Sequence, residues 1–174
     1  MCDLFRFGSL FYAWGRGSLG DFIAIRSDRG LVAFEFASPD SNVLDTLQAR
    51  LPDAALTEHP AAMAETIAAL ARLVDHPAED PGITLDIRGT DYEKKVWDLL
   101  RQIPAGTTTS YGAIAAQMGT RDARDVTTAI AANTLAILIP CHRVLKKDGS
   151  LSGYRWGSTR KRTLLERERT RIEG

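Results

Sequence analysis

The sequence predicts two domains of different class: an α/β N-terminal domain with a small antiparallel sheet and helices, and a mostly α-helical C-terminal domain that contains a helix-turn-helix. Three observations predict this division. Two adjacent β-prone runs occur early in the chain, three helical patterns follow residue 90, and a segment rich in turn residues, 76–82, lies between them. We place the domains at residues 1–84 and 85–174.

The N-terminal domain is predicted to begin with a β-hairpin. Residues 21–26 and 31–36 are β-prone, and the Asp and Gly of the connecting segment, 27–30, suit a tight turn. Met and Leu side chains at helical spacing in 61–74 are typical of a helix that faces the core. The other predicted elements of this domain are a helix at 42–50 and a strand at 83–87.

The C-terminal domain is predicted to begin with a well-marked helix. Thr90 and Glu93 have the spacing of a capping box, which opens a helix. The apolar pattern of this helix continues to Ile103 and stops before a Pro-Ala-Gly segment.

A pair of short helices is predicted next. Ser110 is placed to cap a helix over 111–118, which Gly119 ends, and Thr120 is placed to cap a second helix over 121–132. Two helices joined by a glycine-containing turn form a helix-turn-helix pattern. This pattern occurs in DNA-binding proteins and also in ordinary pairs of packed helices, so by itself it leaves both readings open.

Composition excludes several classes of protein. A chain of 174 residues with 44% hydrophobic and 25% charged residues is typical of a globular protein and unlike disordered, collagen-like or coiled-coil sequences. Only two cysteines occur, Cys2 and Cys141, too few for a disulfide framework or a four-cysteine zinc site, so we expect no metal. The glycines of 15–20 have a nucleotide-loop spacing but precede a strand, so we interpret them as a turn.

The location of the protein is predicted from two further observations. No apolar run is long enough to cross a bilayer, so we expect no contact with membranes. The first residues lack the features of an export signal. We therefore expect a cytoplasmic protein.

The charge is distributed unevenly. The formal net charge is zero, but residues 1–85 carry six basic and twelve acidic side chains, whereas residues 86–174 carry sixteen basic and ten acidic ones. The C-terminal half, with a net charge of +6, suits a polyanion such as nucleic acid. Charges that only solvate two faces explain the same numbers, so charge alone leaves the choice open.

One cysteine is a candidate nucleophile. An apolar run starting at Leu135 leads to Cys141, which Pro140 precedes and His142 follows. A thiol needs a base to become a reactive thiolate, and a histidine oriented by a carboxylate is a common one. Glu166 and Glu168 are the candidate carboxylates, with a water between the imidazole and the thiol. A buried, inert cysteine remains the alternative at this point.

These residues resemble a known family. The segment Ile139-Pro140-Cys141-His142-Arg143-Val144 resembles the signature of the O6-alkylguanine-DNA alkyltransferases, also called methylated-DNA–protein-cysteine methyltransferases. The resemblance covers nearly the whole chain and is weaker over residues 18–84. Its other matching segments are 85–90, 96–97, 103–104, 110–111, 131–133 and 149–157.

The resemblance implies a fold and an activity. It implies a ribonuclease-H-like N-terminal domain and a C-terminal domain that binds double-stranded DNA through the minor groove. The implied reaction is direct reversal of damage, in which Cys141 irreversibly takes the alkyl group from O6-alkylguanine, with O4-alkylthymine as a further candidate lesion. The protein then acts once, as a monomer, and needs no cofactor. The alternatives are a non-catalytic lesion-binding relative, a cysteine hydrolase and a transcriptional regulator.

The resemblance also implies roles for individual residues. Arg124 matches the arginine that fills the gap left by the rotated nucleotide, and Tyr111 matches the tyrosine that helps rotate it and donates a proton to the departing guanine. Asn133 matches the residue that holds the turn before the cysteine, and Glu168 the carboxylate that orients His142. Without the resemblance, Tyr111 is a core residue and Asn133 a helix C-cap.

The remaining implied residues lie in the base pocket and on the recognition helix. Tyr154 matches an aromatic wall of the pocket, with Trp156 and Val144 beside it. Thr127 and Thr128 lie where the implied recognition helix contacts DNA. The family prefers small neutral residues there, and at Asp125, so these positions depart from its pattern.

Overall fold

The computed structural model describes residues 9–151 and 153–173, and Cys2 and Ser152 lie outside them. The chain forms two compact units. The first contains the chain up to Asp75 together with Asp80–Ile87, and the second contains His76–Glu79 and the chain from Arg88 onwards. The segment that follows the turn-rich linker therefore returns to the first unit. The division into domains at residues 84 and 85 stays a prediction.

The first unit contains a four-stranded sheet. Its strands are β1 (Ser9–Gly17), β2 (Gly20–Arg26), β3 (Leu31–Phe36) and β4 (Ala55–Glu58), in the spatial order β3-β2-β1-β4. The predicted hairpin is confirmed as β2 and β3, which pair antiparallel. The sheet is mixed, because β4 pairs parallel to β1. The prediction of an antiparallel sheet is wrong for this edge strand.

Strand β1 was not predicted from the sequence because glycines interrupt its pattern. Gly15 and Gly17 lie inside β1, and the tight connection to β2 is made by Ser18 and Leu19. A side-chain Cβ at Gly15 would lie only 2.4 Å from the ring of Phe22. The interpretation of 15–20 as a turn is therefore right only for Ser18 and Leu19, and the glycines before them belong to the strand, where a close approach requires Gly15.

The helices of the first unit cover the sheet. They are α1 (Val43–Arg50) and α2 (Pro60–Asp75). Helix α2 buries Met63, Leu70, Leu73 and Val74, which confirms that its Met and Leu residues belong to the core. The predicted strand at 83–87 is reduced to a single parallel bridge between Leu85 and Leu31.

The second unit begins with helix α3 (Asp91–Arg101). The predicted capping box is confirmed: the Thr90 hydroxyl accepts from the Glu93 N–H at 3.1 Å, and the Thr90 N–H donates to Glu93 Oε1 at 2.9 Å. The buried Trp97 of this helix donates its indole N–H to the Ala129 carbonyl at 2.8 Å. This bond joins α3 to the second helix of the helix-turn-helix.

The helix-turn-helix consists of α4 (Tyr111–Gln117) and α5 (Ala123–Ala131). Ser110 caps α4 as predicted, accepting from the Ala113 N–H at 3.0 Å. The prediction that Thr120 caps the second helix is wrong. Thr120 Oγ1 accepts from the Asp122 N–H at 3.1 Å, and Asp122 is the residue that caps α5. The turn is therefore longer than predicted.

Three further elements complete the second unit. Strands β5 (Thr109–Ser110) and β6 (Val144–Leu145) pair parallel, and helix α6 (Ser158–Glu173) follows. Strand β5 leads directly into α4, and β6 follows Cys141–Arg143. The short sheet therefore brings the start of the helix-turn-helix beside the segment that contains the cysteine.

Among the helices in the described part of the chain, none combines the length and the apolar character that crossing a membrane requires.

Candidate active site

The cysteine lies at the end of a buried, irregular segment. The run from Leu135 to Ile139 is largely buried, but it forms turns instead of a strand, and Ile137 has a φ of 68°. The Ile139 N–H donates to the Leu135 carbonyl at 3.0 Å, which closes the turn. Cys141, His142 and Arg143 then form one 3₁₀ turn that is buried throughout.

Asn133 holds this segment together. Its side chain is fully buried, its Oδ1 accepts from the Leu135 N–H at 2.8 Å, and its Nδ2 donates to the Ile139 carbonyl at 3.0 Å. The same Nδ2 lies 3.3 Å from Sγ of Cys141. One amide therefore bridges the turn after α5 and points a hydrogen-bond donor at the sulfur.

The resting state of Cys141 is a thiol. Burial raises its pKa to about 11, against the lowering effects of the Asn133 amide and the positive charge of Lys161. Only ~1 in 10,000 thiols with such a pKa is ionised at pH 7. Chemistry at this sulfur requires that a base take the proton at the moment of reaction.

A histidine next to the cysteine is bonded to a buried carboxylate. Nε2 of His142 lies 2.7 Å from Oε1 of Glu168, and both side chains are fully buried. Burial lowers the pKa of His142, although Glu168 acts in the opposite direction. Of the two carboxylates that the sequence left open, Glu168 contacts the imidazole, whereas Glu166 is exposed on the same helix.

Arg143 pairs with the same carboxylate, a contact that sequence reasoning missed. Its Nη2 donates to Glu168 Oε1 at 2.7 Å, and its Nη1 donates to the Ile103 carbonyl at 2.7 Å. Burial alone would raise the pKa of Glu168, but the hydrogen bonds from His142 and Arg143 outweigh it, and the pKa is lowered. An ionised Glu168 therefore accepts a hydrogen bond from Nε2–H of His142.

The tautomer of His142 follows from this contact. With Nε2 donating to Glu168, the neutral ring carries its lone pair on Nδ1. Nδ1 is buried and has no hydrogen-bond partner in the described part of the chain. The ring is therefore fixed by the carboxylate on one side and presents a basic nitrogen on the other.

Lys161 is a second functional candidate that sequence reasoning missed. This side chain is fully buried, and its Nζ donates to the Val144 carbonyl at 2.6 Å. Nζ also lies 6.0 Å from the ring centre of Tyr111 and 5.9 Å from that of Tyr154. Burial lowers the pKa of Lys161, while the Cys141 sulfur favours its charged form. No local sequence signal marked it, because the helix that carries it is rich in charged residues.

The aromatic residues predicted for the pocket lie near the cysteine. Tyr154 and Trp156 are buried and meet edge to face, with ring centres 5.3 Å apart. Burial raises the pKa of Tyr154, and proximity to Cys141 adds to this effect. The hydroxyl of Tyr154 has no hydrogen-bond partner among the described residues. Val144 is fully buried beside Arg143 and supplies the carbonyl that Lys161 binds.

Tyr111 is half-buried at the first position of α4. Burial raises its pKa, and the nearby Cys141 adds to this effect, so its hydroxyl keeps its proton at neutral pH. A Cβ at Gly153, where φ is +90°, would lie 3.2 Å from the Tyr111 hydroxyl. The loop before α6 therefore needs glycine at this position to pass the tyrosine.

The predicted DNA-contacting residues lie on the exposed side of α5. The Arg124 side chain is 89% exposed. Thr127 and Thr128 are also exposed, and their hydroxyls donate to carbonyls of their own helix, at Ala123 and Arg124. Asp125 is exposed, and among the described residues no ion pair joins it to Arg121.

Among the described residues, no group of three or more His, Cys, Asp or Glu side chains is arranged so that it could bind a metal ion.

Comparisons with known proteins agree with this geometry. The sequence profile of the 6-O-methylguanine DNA methyltransferase, DNA binding domain, matches residues 91–170. A methylated-DNA–protein-cysteine methyltransferase of Mycolicibacterium paratuberculosis is 43% identical over 114 residues, which are 65% of this chain and 69% of that protein. The crystal structure of Mycobacterium tuberculosis OGT in complex with DNA superposes with a TM-score of 0.76 at 33% identity, covering 92% of this chain and 94% of that one. The chain belongs to the methylated-DNA–protein-cysteine methyltransferase family.

This membership confirms the family and the fold class that the sequence predicted. The bifunctional transcriptional activator/DNA repair enzyme Ada of Escherichia coli is 42% identical over 90% of this chain, but the chain covers only 45% of that protein. The chain thus spans about half the length of several methyltransferase-family relatives that it matches.

Proposed function

We propose that this member of the methyltransferase family repairs DNA by direct reversal. Cys141 takes the alkyl group from O6 of guanine, or from O4 of thymine, in duplex DNA and remains alkylated. The observation that carries the proposal is the buried Sγ of Cys141, 3.3 Å from the Asn133 amide and followed directly by a histidine bonded to Glu168. The names of the related proteins, and the DNA bound by the M. tuberculosis relative, support it.

The proton of the thiol is the first obstacle. Since burial raises the pKa of Cys141, His142 must accept that proton as the alkylated base arrives. The lowered pKa of His142 keeps the imidazole neutral. Its buried Nδ1 is able to accept one hydrogen bond. A water molecule between Nδ1 and Sγ is a sufficient relay. The charge on Lys161 then stabilises the thiolate.

The transfer itself is a single displacement. A bond forms between Sγ and the alkyl carbon while the bond from that carbon to the guanine oxygen breaks, and the electron pair stays on the guanine. Tyr111 donates its hydroxyl proton to the guanine, because a neutral leaving group departs more readily than an anion. The resulting thioether has no activated leaving group, so each chain reacts once and needs no metal or cofactor.

The base must leave the duplex to reach a buried sulfur. We infer that α5 enters the minor groove, that Arg124 fills the gap, and that Thr127 and Thr128 lie against the groove. Their hydroxyl protons are occupied by their own helix. In this conformation they accept hydrogen bonds, and the guanine amino group is the donor that the minor groove offers.

The pocket for the base is formed by aromatic side chains. The ring of Tyr154 forms one wall, and Trp156 packs against that ring and narrows the space for the alkyl group. The buried hydroxyl of Tyr154 is available to a polar atom of the base. Val144 forms an apolar part of the same pocket.

The proposal is tested by labelled alkyl transfer. Duplex DNA with O6-[methyl-³H]guanine is incubated with the protein, and the label bound to protein is counted. We expect one label per chain, with no further transfer when DNA is added in excess. Release of free methanol with repeated turnover would contradict the proposal. Lesion binding without label on the protein would instead favour the non-catalytic relative.

A further inference from the structure

The arginine at the start of α5 is held by a carboxylate two residues earlier. Nε of Arg124 donates to both carboxylate oxygens of Asp122 at 3.0 Å, and Nη2 donates to Oδ2 at 2.7 Å. Asp122 Oδ1 also accepts from the Arg124 backbone N–H at 2.9 Å. One carboxylate therefore caps the helix and binds the guanidinium of the same residue.

Both side chains of this ion pair are exposed to solvent. The Arg124 side chain is 89% exposed and the Asp122 side chain 47% exposed, so neighbouring side chains do not enforce the pair. Most exposed ion pairs contribute little because two long side chains must be ordered. Here the carboxylate is already fixed by its bond to the backbone, and the arginine meets both of its oxygens, the arrangement with the strongest geometry.

Arg124 cannot keep these bonds and act within a duplex. Inserting the guanidinium between bases requires that it leave both oxygens of Asp122, whereas Asp122 stays on the helix through its backbone contact. The hydrogen bonds from Arg124 lower the pKa of Asp122, so the carboxylate is ionised at neutral pH and repels the phosphates of an approaching duplex.

We propose that Asp122 is a positioning residue that holds Arg124 outside the duplex until the site of insertion offers the guanidinium new partners. This inference rests on the proposed function, since it presumes that Arg124 enters DNA. Two consequences follow. The protein binds undamaged duplex more weakly, and insertion of Arg124 requires more free energy because its bonds to Asp122 must be broken first. In the sequence, this arrangement is marked by the acidic residue at position 122, directly before helix α5.

A matched control lies on the same helix. Asp125 is exposed and has the same charge, and it also favours the charged form of Arg124 through space. The hydrogen bonds described for the Arg124 guanidinium are made to Asp122, while Asp125 faces Thr90, Tyr92 and Glu93 across a shallow hollow. Replacing either carboxylate changes the net charge equally, so only the direct contact differs.

The test compares Asp122→Asn and Asp125→Asn, each alone and together with Arg124→Ala. Asparagine caps helices as well as aspartate does, so Asp122→Asn keeps the helix start. Dissociation constants are measured for undamaged duplex, and transfer rates are measured for lesion duplex and for free O6-methylguanine base. We expect Asp122→Asn to tighten binding to undamaged duplex about two- to fivefold more than Asp125→Asn does.

The excess effect of Asp122→Asn must disappear when Arg124 is alanine, and transfer from the free base must not change in either asparagine variant. Equal effects of the two substitutions, or an excess that persists without Arg124, would overturn the inference alone. An altered rate with the free base would also overturn it, because that reaction involves no duplex. If Arg124→Ala leaves transfer from lesion duplex unchanged, the role of Arg124 in the proposed function fails as well.

Discussion

Glu168→Gln is expected to lower the free energy of unfolding by about 3–5 kcal/mol, because it leaves the charge of Arg143 buried without its partner. It is also expected to slow alkyl transfer roughly 100-fold, since a protonated His142 loses the charge that stabilises it. Urea unfolding measures the first effect, and single-turnover transfer from lesion duplex measures the second.

The pH dependence of the stability effect has a fixed sign. The pKa of Glu168 is lowered in the folded protein from its ordinary value of 4.5. Its contribution is therefore fully present above pH 4.5 and is lost as the pH falls through the folded pKa. The difference between the wild type and Glu168→Gln should be large at pH 7 and shrink in acid. A difference that stays constant with pH would contradict the assigned ion pair.

Glu166→Gln is the matched control for this substitution. Glu166 lies two residues earlier on α6, is exposed, and was the other carboxylate that the sequence left open. We expect its free energy of unfolding to change by less than about 0.5 kcal/mol and its transfer rate to stay at the wild-type value. Equal losses of stability and transfer rate in both variants would show that the negative charge of α6 matters and not the one buried carboxylate.

Asn133→Ala is expected to have the second large effect. The amide side chain satisfies the Leu135 N–H and the Ile139 carbonyl inside the protein. Removing it leaves the buried Leu135 N–H without this partner, whereas the Ile139 carbonyl still accepts from the Cys141 N–H at 2.7 Å. We expect a cost of about 1–3 kcal/mol in the free energy of unfolding. The Asn133 amide also donates to Sγ at 3.3 Å and thereby lowers the pKa of Cys141. The substitution removes this donor, so the pKa of the thiol rises. Transfer should therefore slow markedly at neutral pH.

Asn133→Asp separates the two roles of this side chain. An aspartate keeps the acceptor for the Leu135 N–H but loses the donors and adds a negative charge beside the sulfur. We expect a pKa of Cys141 above that of the wild type, measured by the pH dependence of the rate at which an uncharged alkylating reagent reacts with this thiol in a Cys2→Ser background. An unchanged thiol pKa in both Asn133 variants would show that the amide is only structural.

Local signals in the sequence predicted several elements well. The capping box of Thr90 and Glu93, the Ser110 cap and the β2–β3 hairpin each depend on a few neighbouring residues, so their patterns are complete in the sequence. Strand β1 was missed because its glycines serve a packing contact with Phe22, which lies in the neighbouring strand. Contacts between strands leave no local pattern of this kind.

The start of α5 shows how two capping signals compete. Thr120 and Asp122 are both good N-cap residues. The hydroxyl of Thr120 is occupied by the Asp122 N–H in the preceding turn, so the helix starts at the later residue. Position in the sequence could not decide between them, since the choice depends on the geometry of the whole turn.

The candidate site was predicted in part. The signature around Cys141 marked the sulfur and its histidine, and two carboxylates were considered as the partner of the imidazole. Arg143 and Lys161 were missed because their importance comes from where they are buried. Arg143 reaches a carboxylate 25 positions away and Lys161 reaches a carbonyl 17 positions away. A charged residue at these positions otherwise suggests a solvated surface.

Permanent alkylation of Cys141 by its substrate is the step on which the proposed function depends. The most direct measurement is intact-protein mass after incubation with duplex DNA containing O6-methylguanine, followed by mapping of the modified peptide, with Cys141→Ser as the control. We predict a gain of one methylene unit per chain, located on Cys141, and no gain in the control. An unchanged wild-type mass, or a gain that persists in Cys141→Ser, would contradict the account.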